Sequence, residues 1–584
     1  MKYAFYLLSI AALFSCSKSV DNPENIDFTT TFEKSGGTQT PTYDEVIQFY
    51  KDLDKAYVSI KTYEVGTTDI GKPLTLITFN PNRTLESEFS EDQDVRRVLI
   101  NNGIHPGESD GIDATMMLMR DLAQGTIEAP QNTWVGAIAV YNIGGALNRN
   151  STSRTNQNGP EAYGFRGNAK NYDLNRDFIK NDTKNSQAFT EVFHLVEPDV
   201  FIDNHVSNGA DYQYTLTHLF TQHNKLGGVL GEYTYQDFQP KLELDLKSKN
   251  WDITPYVNVF NRTPEKGFSQ FMDHPRYSTG YTTLWNTIGL MVETHMLKPY
   301  KPRVEGTYEL MKSALKVTAQ EGEKIKILRK DAFNAFAKAD TYPLAYAIDS
   351  TQTSTLNFLG YEGEMIPSEI TGKQRLKYNR DKPFTKEVTY YNYFKPTKEV
   401  TIPKAYFIPR GYRDIVLKLR ENNIRFKQLK KDTTFMAEVY HIDSYQTSRN
   451  PYEGHYPHYG TQVRKTQEEV TIPRDGYMVL LEKNKKGLRY LLETLEPEAN
   501  DSFFNWNFFD TILQQKEGFS PYVWEDKALE FLYQNPDIKA EFEAKKASEP
   551  SFAQNWYAQL AWIHKKSPNY EKAHLRYPIV RMLR

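Results

Sequence analysis

Four apolar runs of strand length punctuate the first half of the chain, and three of them lead into residues that carry chemistry. Arg97-Val-Leu-Ile-Asn101 leads to His105 and Glu108, Asp199-Val-Phe-Ile-Asp203 leads to His205, and Ile288-Gly-Leu-Met-Val292 leads to Glu293; Trp134 to Tyr141 is the fourth. Such short continuous runs suit strands buried on both faces. Gly111 to Ala123 places Ile112, Met116, Met119 and Leu122 at helical spacing. The alternation predicts an α/β fold, a mixed central sheet flanked by helices. In open α/β sheets ligands gather beyond the carboxyl ends of strands, and the candidate residues all follow that rule.

The flanking segments extend this pattern. Tyr43 to Tyr57 carries Val46, Phe49, Tyr50 and Leu53 on one helical stripe, and Ile60–Val65 and Pro73–Phe79 read as strands around Gly71-Lys72. After about residue 325 short β-rich runs dominate, such as Glu399-Val-Thr-Ile-Pro and Ala405-Tyr-Phe-Ile-Pro. A helix-like Tyr412–Asn422 interrupts them, and a helical pattern runs from Lys527 to Lys565. With 584 residues, more than one domain is expected. The reading is a catalytic unit over 42–325 and a β-rich accessory region over 326–584, of one or two domains, with a helical C-terminus. A net charge of -3 gives no basic field for nucleic acid.

The one cysteine is Cys16. It closes an apolar run, Tyr3 to Phe14, long enough for a signal peptide and too short to span a bilayer. Leu13-Phe14-Ser15-Cys16 resembles the lipobox of bacterial lipoproteins, which implies cleavage after residue 15 and a lipid on Cys16. Acyl chains supply about 0.8 kcal/mol per buried CH₂, so several anchor stably. Residues 16–41, polar and containing Gly36-Gly37 and Pro41, read as a flexible tether. The expected location is the bacterial cell envelope, outside the cytoplasm.

His105-Pro-Gly-Glu108 is an H-x-x-E pair on a tight turn rather than a helix, because Pro106 and Gly107 favour turns. Alone it occurs by chance, and an isolated His205 is more often structural than a ligand. The ordered set is more specific. H-x-x-E, then Asp173-Leu-Asn175-Arg176, then Asp203-Asn-His205 on an apolar run, then Glu293 ending another, resembles the zinc carboxypeptidase (carboxypeptidase A-like) family over roughly residues 42–325.

That resemblance implies one zinc ion held by His105, Glu108 and His205, with Asp173 bonded to the far nitrogen of His105. It implies Glu293 as general base toward a metal-activated water. Asn175 and Arg176 would hold the substrate's terminal carboxylate, since a guanidinium fork pairs bidentately with it. Arg166 is the preferred oxyanion-stabilising arginine, with Arg154 the alternative. Tyr277 is the expected tyrosine over the bound terminus, with Tyr281 its competitor. The stretch from Glu108 to His205 is short for the family, so loops shaping a specificity pocket are trimmed.

The function this implies is a lipid-anchored zinc metallocarboxypeptidase acting on peptides with a free C-terminal carboxylate. One alternative is a zinc amidase for cell-wall stem peptides or N-acyl amino acids. Another is a non-catalytic lipoprotein that binds peptides or glycans. His455-Tyr-Pro-His458 has metal-like spacing but reads as a surface loop rich in Tyr, Pro and Gly.

Overall fold

The computed structural model describes residues 26–81 and 95–583. The signal segment, Cys16 and the first part of the expected tether lie outside the described residues. Among the described residues no helix is long and apolar enough to cross a membrane.

Among the described residues nine strands occupy the first half: β1 (Ile60–Val65), β2 (Leu74–Phe79), β3 (Arg96–Asn101), β4 (Thr133–Ile138), β5 (Val200–Ser207), β6 (Leu216–Phe220), β7 (Ile253–Pro255), β8 (Phe268–Ser269) and β9 (Ile288–His295). All but β8 form one sheet in the order β1-β2-β4-β3-β5-β9-β6-β7. The four central strands β4, β3, β5 and β9 are parallel, and antiparallel strands join on each side. This is the mixed sheet the sequence predicts. Strands β2, β4 and β5 are buried along their whole length, the polar residues of β5 included.

From β3 the chain passes through the helix Asp110–Gln124 to β4, then through the helix Lys184–Val196 to β5 on the other side of β3. Two right-handed crossovers in opposite directions put these helices on opposite faces of the sheet. The reversal leaves a crevice beyond the carboxyl ends of β3 and β5, where ligand sites form. The helix Asp110–Gln124 can lie this close to β5 because Gly111 faces Asn204; a Cβ there would sit 2.3 Å from the Asn204 Cβ.

Residues 26–41, expected as tether, instead fold onto the body. Phe28 and Phe32 are buried, Thr31–Lys34 is a short capped helix, and the Thr40 hydroxyl donates to Asp113 at 2.6 Å. Two phenylalanines four positions apart supply the apolar face that the otherwise polar composition concealed. The next helix, Tyr43–Ala56, starts on a capping box from Thr42 and Glu45, an arrangement worth about 1 kcal/mol, and buries Val46, Tyr50 and Leu53 as its stripe predicts.

The second half contains β10 (Thr341–Ile348), β11 (Ser354–Pro367), β12 (Gln374–Tyr391), β13 (Phe394–Thr401), β14 (Ala405–Ile408), β15 (Lys427–Gln428), β16 (Thr433–Thr447), β17 (His458–Ile472), β18 (Tyr477–Leu480) and β19 (Val580–Met582). A six-stranded sheet runs β15-β18-β14-β19-β16-β17, and the long β11–β12 hairpin pairs onto β8 of the first half. The residue 325/326 division falls within the helix Gly322–Lys338, and one apolar core runs from Phe28 to Ile579. The helices Pro521–Gln534, Pro536–Ser548 and Trp556–Lys566 surround a separate small core of Trp524, Leu532, Phe542 and Leu560.

Candidate metal centre and cleft

Strands β5 and β9 run further than their apolar runs, so His205 and Glu293 lie inside them near their carboxyl ends rather than beyond. They are direct neighbours in the β5–β9 register. His105 and Glu108 come from the turn after β3, where the Glu108 N–H closes back on the His105 carbonyl at 2.8 Å. The two imidazoles and the Glu108 carboxylate offer ligand atoms all within 4.8 Å of one another, and all three residues are buried.

The hydrogen-bond inventory of the two rings points to a cation. His105 Nε2 lies 2.9 Å from Asp173 Oδ1 and its Nδ1 3.1 Å from Glu108 Oε1. His205 Nε2 lies 2.8 Å from Asp203 Oδ2 and its Nδ1 3.1 Å from Glu108 Oε2. A neutral imidazole has one donor and one acceptor. With both Nε2–H groups assigned as donors to the carboxylates, the two Nδ1 atoms face the Glu108 oxygens, an arrangement that a proton on each Nδ1 or one shared metal ion satisfies. Ligands about 2.0–2.1 Å from a tetrahedral ion lie roughly 3.3 Å from each other, close to these contacts. The residues fit a divalent metal.

The surroundings tune this set. Burial alone would raise the Glu108 carboxyl, yet His105 and Arg154 hold it well below the usual carboxylate range. Glu108 also accepts from the Val206 N–H and from Arg154 Nη1, each at 2.9 Å. Asp203 is fixed in turn by Asn101 Nδ2 (3.1 Å) and the Ser278 hydroxyl (2.5 Å). Burial pushes Glu293 up to about 8, with His205 pulling against it and Glu108 adding to the rise.

A cleft of about 560 Å³ opens on this centre. His105, Glu108, His205 and Glu293 share its lining with Arg154, Arg166, Asn175, Arg176 and Tyr277, and Leu219, Phe271 and Met291 form apolar wall. Arg176 stacks over the Tyr277 ring at 4.6 Å and donates from Nη1 to the Asn175 carbonyl at 2.8 Å. Arg166 grips Asp173 Oδ2 through Nε (3.1 Å) and Nη2 (2.7 Å), and its Nη1 is 3.9 Å from Glu108 Oε1.

Thus His105, Glu108, Asp173, Arg166, Asn175, Arg176, His205, Tyr277 and Glu293 converge on one region. Tyr281 does not line the cleft; it is fully buried and its hydroxyl donates to Asn422 at 2.7 Å. Sequence reasoning gave Asp203 no role, although the D-x-H spacing on a strand puts both side chains on one face. Ser278 carried no signal. His455 and His458 are not a free surface pair: His455 Nε2 bonds Asp182 at 2.7 Å, whereas His458 is buried against Asp510 and Phe504.

No family model and no curated protein sequence matches the chain. Solved structures do. A metallo-carboxypeptidase from Burkholderia cenocepacia is 16% identical, over 50% of this chain and 70% of that one, with a TM-score of 0.34. The metallo-carboxypeptidase of Pseudomonas aeruginosa, solved with (2-guanidinoethylmercapto)succinic acid, is 13% identical over 48% and 68%, TM-score 0.35. Carboxypeptidase A of Helicoverpa armigera is 12% identical over 52% and 78%, TM-score 0.37. These structural neighbours are metallo-carboxypeptidases.

Proposed function

We propose that the chain is a zinc-dependent carboxypeptidase that removes the C-terminal residue of peptides. The observation that carries the reading is the pair of outward-tethered imidazoles facing one carboxylate, with Glu293 beside them and Arg176 in the same cleft. Zinc held by His105, Glu108 and His205 would supply Lewis acidity toward a carbonyl and toward water.

The remaining work falls to this chain's own residues. Arg176, with most of its five donors free of the Asn175 carbonyl, pairs with the terminal carboxylate, and Tyr277 braces its face. Glu293, paired with His205 across the β5–β9 register and lining the cleft, takes a proton from the attacking water and returns it to the leaving amine. Arg166 spends two donors on Asp173 and turns its third nitrogen toward the centre, which suits it to a developing oxyanion. Arg154 is engaged by Glu108 and holds that ligand. The lipobox-like Cys16 supports an enzyme tethered at the cell envelope.

Metal analysis combined with digestion of a mixed peptide library, cell-wall stem peptides included and read by mass, tests the reading. One equivalent of zinc, loss of single C-terminal residues, abolition by a chelator and recovery with zinc are expected. Full activity in metal-free protein would end it.

A further inference from the structure

The carboxylate anchor is backed by residues from the far end of the chain. Residues 448–457 join β16 to β17, and at their tip Tyr452 and His455 exchange backbone hydrogen bonds of 2.8 and 3.1 Å. Between them Glu453 and Gly454 both have positive φ, 49° and 78°. This turn favours Gly or Asn at both central positions, and glutamate is an uncommon choice there. Its side chain has a specific partner: Glu453 Oε2 accepts from the Asp173 N–H at 2.9 Å. Gly454 presses on Tyr172 so closely that a Cβ would lie 2.6 Å from the Tyr172 hydroxyl oxygen.

The neighbouring residues extend the contact. Tyr452 is half-buried and lies nearly parallel to Trp506 (ring centroids 6.1 Å apart, 16°). Arg276, the residue before Tyr277, donates its backbone N–H to Asp501 Oδ2 at 2.8 Å and lies over the Trp506 ring at 5.5 Å. The Asp173–Arg176 turn and the Tyr277 segment are therefore each supported from beyond residue 450. Glu453 does not line the cleft, so its influence passes through Asp173.

We propose that the β16–β17 loop completes the substrate-carboxylate anchor, with Glu453 as the positioning residue that holds the Asp173–Arg176 turn in place. The C-terminal half is then part of the enzyme's recognition machinery. This rests on the carboxypeptidase reading.

The test uses the full zinc-loaded chain. Calorimetry gives its affinity for N-acetyl-leucine and for N-acetyl-leucinamide, beside KM and kcat on free and amidated peptides and the unfolding midpoint. Wild type should prefer the carboxylate by about tenfold or more. Glu453→Ala removes the acceptor of the Asp173 N–H, so about fivefold of that preference should go, in KM rather than kcat. Glu453→Gln, which keeps an acceptor, should restore it. Undiminished preference in Glu453→Ala overturns the proposal, as does equal weakening of both ligands with a lowered midpoint. A wild-type protein without preference would instead sink the carboxypeptidase reading itself.

Discussion

The proposed metal centre and the proposed carboxylate anchor share one cleft but are held by different parts of the chain. His105, Glu108, His205 and Glu293 are fixed by the turn after β3 and by adjacent registers of β5 and β9, and the tethers on the two rings, Asp173 and Asp203, come from the first half. Arg176 and Tyr277 stand on loops and single turns outside the sheet, and the groups behind them are Glu453, Asp501 and Trp506. The sheet sets the chemistry rigidly because one register change would turn every side chain to the other face. The anchor is adjustable, since loops on a rigid scaffold tolerate change.

The sharpest way to separate the two is to remove the proton carrier and leave both holders intact. Glu293→Gln is nearly isosteric and Glu293 does not belong to the His–Glu–His set, so zinc content and KM should stay close to wild type. Turnover should fall by about 10²–10⁴-fold, the usual contribution of a positioned acid–base group. Near-normal kcat, measured under saturating substrate, would remove Glu293 from the chemistry and leave the centre without a base.

Arg176→Ala attacks the other side of the comparison. Loss of a bidentate, charge-assisted contact worth about 2–3 kcal/mol should raise KM for free-carboxylate peptides by roughly 30- to 150-fold. Amidated peptides, already poor substrates, should change little, and metal content should not change. If both substrate classes suffer equally, Arg176 does not read the terminus.

How much of this was legible in the sequence follows the same divide. The apolar runs and the helical stripe of Gly111 to Ala123 gave the strands and the helix Asp110–Gln124 to within a few residues, because burial on both faces leaves little choice of residue. The grouping of His105, Glu108 and His205 was expected from the ordered motif set and its resemblance to zinc carboxypeptidases, with strand-end positions as secondary support, and the three side chains do lie together. Strand β6, Leu-Thr-His-Leu-Phe, was too short to stand out although it completes the sheet beside β9. The anchor's supports were hidden for a plainer reason: Glu453 and Asp173 are 280 positions apart, and no local periodicity links a hairpin tip to a distant turn. The two phenylalanines within the supposed tether were overlooked because a polar average hides an apolar face only one turn long.

The smallest expected effect concerns the tethers of the rings. Asp203 fixes His205 from its Nε2 side and is itself held by Asn101 and Ser278. In Asp203→Asn the amide NH₂ must face one of these donors, so the ring loses either its orientation or its preferred tautomer. Zinc affinity, titrated against a competing chelator, should fall by about 10- to 100-fold, and at saturating zinc most of the activity should return. The preference for free over amidated C-termini should be untouched, because Arg176 and its C-terminal supports do not contact Asp203. A loss of that preference would mean that the two holders are mechanically one, through Ser278, whose N–H donates to Asn175 Oδ1 at 3.2 Å while its hydroxyl binds Asp203.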